Sequence, residues 1–123
     1  MDGITPGIYE YEPETHTLKK TKDNDQRESL AQAALNQASV SQGVIDIVIT
    51  AIYEKTTAKY GERGIRYVHM EAGHAAQNIC LQAVVLQLGA VTVGAFDDEG
   101  VLEVLGAPEN ETPLYIIPLG RPN

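Results

Sequence analysis

The chain has 123 residues, 43% of them apolar, with a formal net charge of −8 from 9 Lys and Arg against 17 Asp and Glu. That is one domain's worth of chain, able to bury a modest core without staples. An acidic surface repels phosphate backbones and anionic lipid, which argues against nucleic acid or a membrane surface as partner.

The N-terminal stretch MDGITPGIYEYEPE has no basic segment followed by an apolar run, so it does not read as a signal peptide. Gly7 to Glu12 alternates apolar and charged residues, as a half-buried strand does. Pro13-Glu14-Thr15 signals a turn, and His16 to Thr21 returns as the second strand of a hairpin. After a polar loop, Asp25 is placed to cap a helix from Gln26 to about Gln37, with Leu30, Ala34 and Leu35 on its apolar side.

Val44 to Ile52 is rich in β-branched residues and suits a central strand covered on both faces. Tyr53 to Tyr60 predicts a short helix ended by Gly61, followed by a charged turn at Glu62-Arg63-Gly64. A long helix is expected from about Ile65 to Leu88. Val68, Ala72, Ala75, Ala76, Ile79, Ala83 and Leu86 recur at three- and four-residue steps, and Gly89 supplies the stop. Ala72 to Phe96 contains no charged residue, but five polar side chains from His74 to Gln87 would be costly in lipid, so it reads as a buried helix and strand. Ala90 to Val93 reads as a strand. Asp97 caps a helix from Asp98 to Leu105, closed by Gly106. Leu114 to Leu119 is a last strand, which Pro118 assigns to an edge or to the end of its pairing.

The chemistry-bearing residues form few known patterns. His69 and His74 are five apart, ~140° around a helix, where zinc proteases need two His four apart on one face. Glu71-x-x-His74 has the spacing of half a di-iron site, but the other half is not found. Hydrogen-bonded polar residues are the expectation, and no metal site is assigned. Cys80, the only cysteine, sits among apolar residues in mid-helix and reads as an inert thiol. A lone cysteine fits a reducing, cytoplasmic setting. Lys59 to Tyr67 places three cations and two phenols within nine residues of an otherwise acidic chain; Lys and Tyr suit proton transfer in a pocket, and a solvated turn is the plainer reading. Gly120-Arg121 after the last strand offers a grip for a phosphate or a frayed end.

Taken together, the pieces resemble one family. Glu71-Ala-Gly-His-Ala-Ala-Gln-Asn78, Leu86-Gln-Leu-Gly-Ala90, Gly94-Ala-Phe-Asp97, Glu103-Val-Leu-Gly106, Pro113-Leu-Tyr115 and Pro118-Leu-Gly-Arg-Pro122 follow the order of nitroreductase-like flavoproteins. Gly7-Ile-Tyr-Glu-Tyr11, His16-x-Leu18 and the Lys59–Tyr67 run resemble the SagB-type dehydrogenase branch, which includes azoline oxidases. The resemblance implies an α+β fold with an antiparallel or mixed central sheet and a long buried helix through which two copies dimerise around FMN. It places backbone N–H groups of Val93, Gly94 and Ala95 along the flavin ring edge. It places Gly120 and Arg121 at the FMN phosphate, and Lys59 and Tyr60 in the proton chemistry. It also implies hydride transfer through the flavin, with NAD(P)H or an azoline-like substrate as hydride source.

Full-length members of the family begin with a helix carrying an Arg-Arg-Ser type motif, then a Ser-Ala-Gly-x-Tyr-Pro segment and a strand. This chain has neither motif, so residues 1–123 are expected to form one truncated domain equivalent to the C-terminal part of the family fold. FMN is then expected to bind weakly unless a second chain supplies the missing motif. Two functions stand side by side at this point: an FMN oxidoreductase, and a non-catalytic dimeric remnant or partner subunit.

Overall fold

The hairpin expected from the sequence is present, its second strand exposed along its whole length. In the computed structural model, which describes residues 3–122, β1 (Gly7–Glu12) and β2 (Thr17–Asp23) pair as the expected antiparallel hairpin, with a bulge between Ile8 and Tyr9. Lys22 ties this hairpin to the body by donating from Nζ to the Val104 carbonyl at 3.1 Å.

The helix expected over residues 26–37 breaks in two. α1 (Arg27–Ala33) ends as Leu35 and Asn36 take positive φ, and α2 (Ala38–Gln42) starts afresh. Leu30 and Ala34 are buried as expected, but Leu35 is 65% exposed because the left-handed turn swings it off the helix face. Asn36 N–H donates to the Ala31 carbonyl, and Gln37 Nε2 donates to the Ala34 carbonyl; these bonds replace the lost helical ones. Asp25 does accept from a helix N–H, that of Arg27 at 3.0 Å, but from one position before the cap residue Gln26.

β3 (Ile45–Ala51), β4 (Gly89–Ala90) and β5 (Thr112–Gly120) form one antiparallel sheet in the order β3-β5-β4. β3 is covered on both faces, as its β-branched run predicts: Val48 packs on one side, and Ile45, Ile47 and Ile49 on the other. Among the described residues, however, β3 lies at an edge and β5 is the central strand. This reverses both expectations, and the hydrogen bonds explain why Pro118 is tolerated. Ile116 exchanges two bonds with Val93, and Val91 N–H donates to the Pro118 carbonyl, so even-numbered residues of β5 turn their backbone groups toward β4. Pro118 therefore lacks its N–H on the side where the pairing is shortest. The strand expected over 90–93 is correspondingly reduced to two residues and the isolated Val93–Ile116 bridge.

α3 (Glu54–Tyr60) ends at Gly61 with φ 64, as expected, and α5 (Asp98–Leu105) is capped by Asp97, which accepts from Gly100 N–H, and closed by left-handed Gly106. α4 (Arg63–Val85) is the long helix. Its stop is not Gly89: Gln87 adopts φ 60, Leu88 N–H donates to the Ala83 carbonyl and Gln87 N–H to the Val84 carbonyl, a Schellman closure with a non-glycine residue.

The sheet is sandwiched between two layers. α1, α2 and α5 cover one face around Val40, Val101 and Ile116; α4 covers the other with Ala76 and Ala83 against Ile117 and Leu119. Within the single chain α4 is buried only along Gly64, Ala72, Ala76 and Ala83, so the expectation of a buried helix holds for one stripe. Ala75 and Leu86, assigned to the apolar face, are exposed, because the small-residue stripe faces the sheet. Val84 and Val85 are more than 70% exposed.

Gly64 fixes the spacing of α3 and α4. A Cβ there would lie 3.1 Å from Thr57 N and Cα, backbone atoms that cannot rotate away. Gly64→Ala is expected to cost about 1–2 kcal/mol, read as a lower denaturation midpoint; an unchanged midpoint would mean that α3 shifts freely.

Candidate functional site

The segment after the Val93 bridge is held at both ends and open in between. Val93 is buried, and its N–H donates to the Ile116 carbonyl at 2.8 Å while it accepts from Ile116 N–H at 3.0 Å. This corrects the expectation for Val93: its N–H is spent within the sheet and cannot also reach a flavin edge. Gly94 and Ala95 are exposed, and among the described residues their N–H groups make no backbone hydrogen bond. A Cβ at Gly94 would meet nothing within 4 Å, so the backbone there is bare toward solvent. Downstream, Phe96 packs onto the core and Asp97 N–H donates to the Ala33 carbonyl at 2.8 Å.

Gln37, which the sequence did not single out, fixes this segment from the side. Its Nε2 donates both to the Ala95 carbonyl and to the Ala34 carbonyl, each at 2.8 Å, so the turn that breaks the first helix also anchors the loop. The result is a short platform whose unengaged donors suit a flat polar ring edge.

Gly120 and Arg121 lie at the other end of β5. Gly120 pairs with Gly89, whereas Val93 pairs with Ile116 four residues away, roughly 13 Å along the strand at ~3.3 Å per residue. Arg121 is exposed and makes no salt bridge among the described residues. The structure therefore does not bring Arg121 to the loop; it sets the two apart along one strand, a spacing suited to an elongated molecule with a ring at one end and a phosphate at the other.

Lys59 and Tyr60 form a separate cluster. Lys59 Nζ sits 5.2 Å over the Tyr60 ring, and Tyr60 meets Tyr67 edge-on at 5.3 Å. Both residues are exposed at the C-terminal end of α3, and among the described residues no hydrogen bond or ring contact joins them to residues 93–95.

Two further groups stand out: the pairing of Tyr53 with His69, a residue that the sequence raised only as a metal ligand, and Asp46, which sequence reasoning passed over. Tyr53 Oη and His69 Nε2 are 2.7 Å apart with the rings at 83°, beside a cleft of about 170 Å³ lined by His69, Ala72, Leu114 and Tyr115. The only sequence signal was a Tyr at the end of a strand and a His on the following long helix. His69 thus pairs with a phenol, and among the described residues no three metal-ligating side chains converge. Asp46, opposite Pro118, has both carboxylate oxygens buried and without a hydrogen-bond partner among the described residues. Burial pushes its carboxyl up to about 7, against the opposing pull of the Arg27 guanidinium. Arg27 is itself engaged, by Asp25 at 2.6 Å and by the Gly43 carbonyl at 2.8 Å.

Comparison with known proteins places this arrangement. A protein of Methanocaldococcus jannaschii named as a nitroreductase is 46% identical over 119 residues, covering 97% of this chain and 59% of the relative. The crystal structure of a protein from Anabaena variabilis, likewise named as a nitroreductase, matches with a TM-score of 0.93 and 37% identity over 99% of this chain and 25% of that one. The Escherichia coli microcin synthetase McbBCD complex bound to truncated pro-MccB17 contains a chain matching at TM-score 0.83 and 26% identity, covering 94% of this chain and 44% of that one. The NADPH:FMN oxidoreductase of Vibrio harveyi complexed with NAD+ matches at TM-score 0.68 and 30% identity, covering 80% and 45%. The chain thus spans between a quarter and three fifths of the length of these four proteins. The Nitroreductase family model aligns with residues 4–121, and with that match across the whole sheet, the long helix and the 93–97 loop, the chain belongs to the nitroreductase family.

Proposed function

We propose that the chain forms part of an FMN-dependent oxidoreductase of the SagB-type dehydrogenase branch, passing hydride through the flavin between a nicotinamide or azoline-like donor and an acceptor. The observation that carries this reading is the bare backbone at Gly94, clamped between the Val93 bridge and the Gln37 bond to Ala95. The donors fit a flavin: N–H groups of Gly94 and Ala95 for the ring edge, and Gly120 and Arg121 for the phosphate at the far end of β5. When bound, the flavin supplies the hydride chemistry, while the protein orients it and excludes competing reactions. Lys59 and Tyr60 are assigned the proton chemistry of the azoline-oxidase branch, and the likeness to a microcin synthetase chain supports that branch.

Residues 1–123 are read as one truncated domain, cytoplasmic and dimeric through the exposed apolar side of α4, where Leu81, Val84 and Val85 form a patch that a second copy would cover. Another chain carrying the family's N-terminal motif would complete the phosphate site. A second reading is favoured by the spent N–H of Val93 and by the lack, among the described residues, of any hydrogen bond or ring contact between Lys59 or Tyr60 and the loop: a dimeric remnant or partner subunit that holds no flavin by itself. Among the described residues no helix is long and apolar enough to cross a membrane.

Gly94→Val separates the two readings. A side chain there meets open space, so folding is expected to be unchanged by circular dichroism. FMN affinity is expected to fall by roughly tenfold or more, ~1.4 kcal/mol, in a fluorescence titration. Equal affinity in both proteins would remove Gly94 from the flavin site.

A further inference from the structure

The loop that carries Gly94 and Ala95 is tied to a strained turn far from it in sequence. Leu35 and Asn36 both adopt left-handed backbone, with φ 58 and φ 57. Asn tolerates that region; a leucine there is strained, and the surroundings must offset the cost. Burial does not offset it, since Leu35 is 65% exposed. The turn ends α1 early and leaves its last carbonyls without helical partners. Two of these carbonyls are taken up where α1 meets the loop. That of Ala33 accepts from Asp97 N–H at 2.8 Å, and that of Ala34 from Gln37 Nε2 at 2.8 Å. The same Nε2 also donates to the Ala95 carbonyl at 2.8 Å, 58 residues away. An amide nitrogen has two hydrogens, one for each carbonyl, and an ionised carboxylate in its place has none. Among the described residues no other side chain hydrogen-bonds to the backbone of residues 93–96. Holding the Ala95 carbonyl fixes the plane of the Ala95–Phe96 peptide. With Val93 bridged on one side and Phe96 packed on the other, little freedom remains to the exposed Gly94–Ala95 peptide.

We propose that the Leu35–Gln37 turn is a positioning device for the flavin loop, with Gln37 as the positioning residue whose amide keeps the Gly94 and Ala95 N–H groups ordered before a flavin binds. The inference deepens the flavin reading given above and rests on it. A loop already ordered loses less conformational entropy on binding, so its donors contribute more to affinity. The strained turn is the counterpart of that order: Gln37 reaches both carbonyls only where the chain reverses at Leu35 and Asn36. Gln37 itself touches the loop from the side and supplies no donor to the flavin, because both hydrogens of Nε2 are engaged by carbonyls. Its effect on a bound flavin therefore runs through the backbone of residues 94 and 95.

The test compares wild type, Leu35→Gly, Gln37→Ala and the double variant, each as the full chain, with FMN as the probe. Leu35→Gly relieves the strain and keeps Gln37, so it is expected to raise the denaturation midpoint and to bind FMN as wild type does. Gln37→Ala is expected to lower the midpoint and to weaken FMN binding by up to roughly tenfold. Without FMN it is also expected to speed amide exchange at Asp97, whose N–H holds the loop to Ala33. The double variant separates positioning from stability. Its midpoint is expected to return toward wild type while its FMN affinity stays low. Affinity that recovers together with the midpoint overturns the proposal alone, and so does Asp97 exchange unchanged by Gln37→Ala. Gln37→Glu adds a pH readout. Its carboxyl has one proton to donate when neutral and none when ionised, so its FMN affinity relative to wild type is expected to fall as pH rises through the carboxylate range. A ratio that does not change with pH overturns the role given to the amide donors. No saturable FMN binding by the folded wild-type chain overturns the flavin reading and this proposal with it.

Discussion

Replacing Asp46 by asparagine is expected to stabilise the protein above pH 7 and to leave it nearly unchanged near pH 4. Both carboxylate oxygens are buried and unpartnered among the described residues, and burial raises the carboxyl from an ordinary value of 3.8 to about 7. The fold therefore prefers the protonated form. Stability is fully present below about pH 4, falls as pH rises toward 7 because the unfolded chain ionises freely, and is level above that. The full rise corresponds to ~4 kcal/mol at ~1.4 kcal/mol per pH unit. Screening by solvent at this half-buried site brings the expected gain to about 1–3 kcal/mol at pH 8. Asn has the size and donor capacity of the protonated acid but cannot ionise. Denaturant midpoints of both proteins at pH 4 and pH 8 check this. A constant difference across that range would mean that Asp46 is ionised and paired throughout, with Arg27 the nearest partner.

Ile116→Ala is expected to cost about 2–5 kcal/mol, and Ile116→Val only ~0.5–1.5 kcal/mol. Ile116 is 0% exposed at the centre of the layer formed by α1, α2 and α5, so the lost side chain leaves a cavity that helices on three sides cannot all close. A domain of this size has only ~5–15 kcal/mol in total. Because the same residue's backbone holds Val93, the alanine variant is also expected to show faster amide exchange at Val93. A loss below 1 kcal/mol would mean that the face collapses around the gap.

Where local chemistry decides the structure, residues could be read directly. Asp97 and Gly106 bracket α5, Gly61 ends α3, and the β-branched run becomes β3, because capping and chain geometry act over a few residues. The family order also led to the correct α+β architecture. Tertiary contacts override the rest. Leu35 and Asn36 look helical, yet Gln37 gains two carbonyl bonds only if the chain turns there. Pro118 looks like an edge residue, but its missing N–H faces a partner only two residues long. Gln87 takes the left-handed conformation that ends α4, while Gly89 pairs with Gly120 in the sheet. The family order pointed to Gly94 and Ala95, and both lie exposed on the loop after the Val93 bridge. The pairing that spends the N–H of Val93, the Gln37 anchor and the Tyr53–His69 contact, sixteen residues apart in sequence, depend on how the strands and helices meet.

The most direct test of the account is a fluorescence titration of FMN with the purified chain. Saturable quenching is predicted, weak because the chain spans only part of its relatives, and weakened further by Gly94→Val. No saturable change with the folded wild-type chain at any FMN concentration would contradict the assignment of the Gly94–Ala95 platform and Arg121 to a flavin.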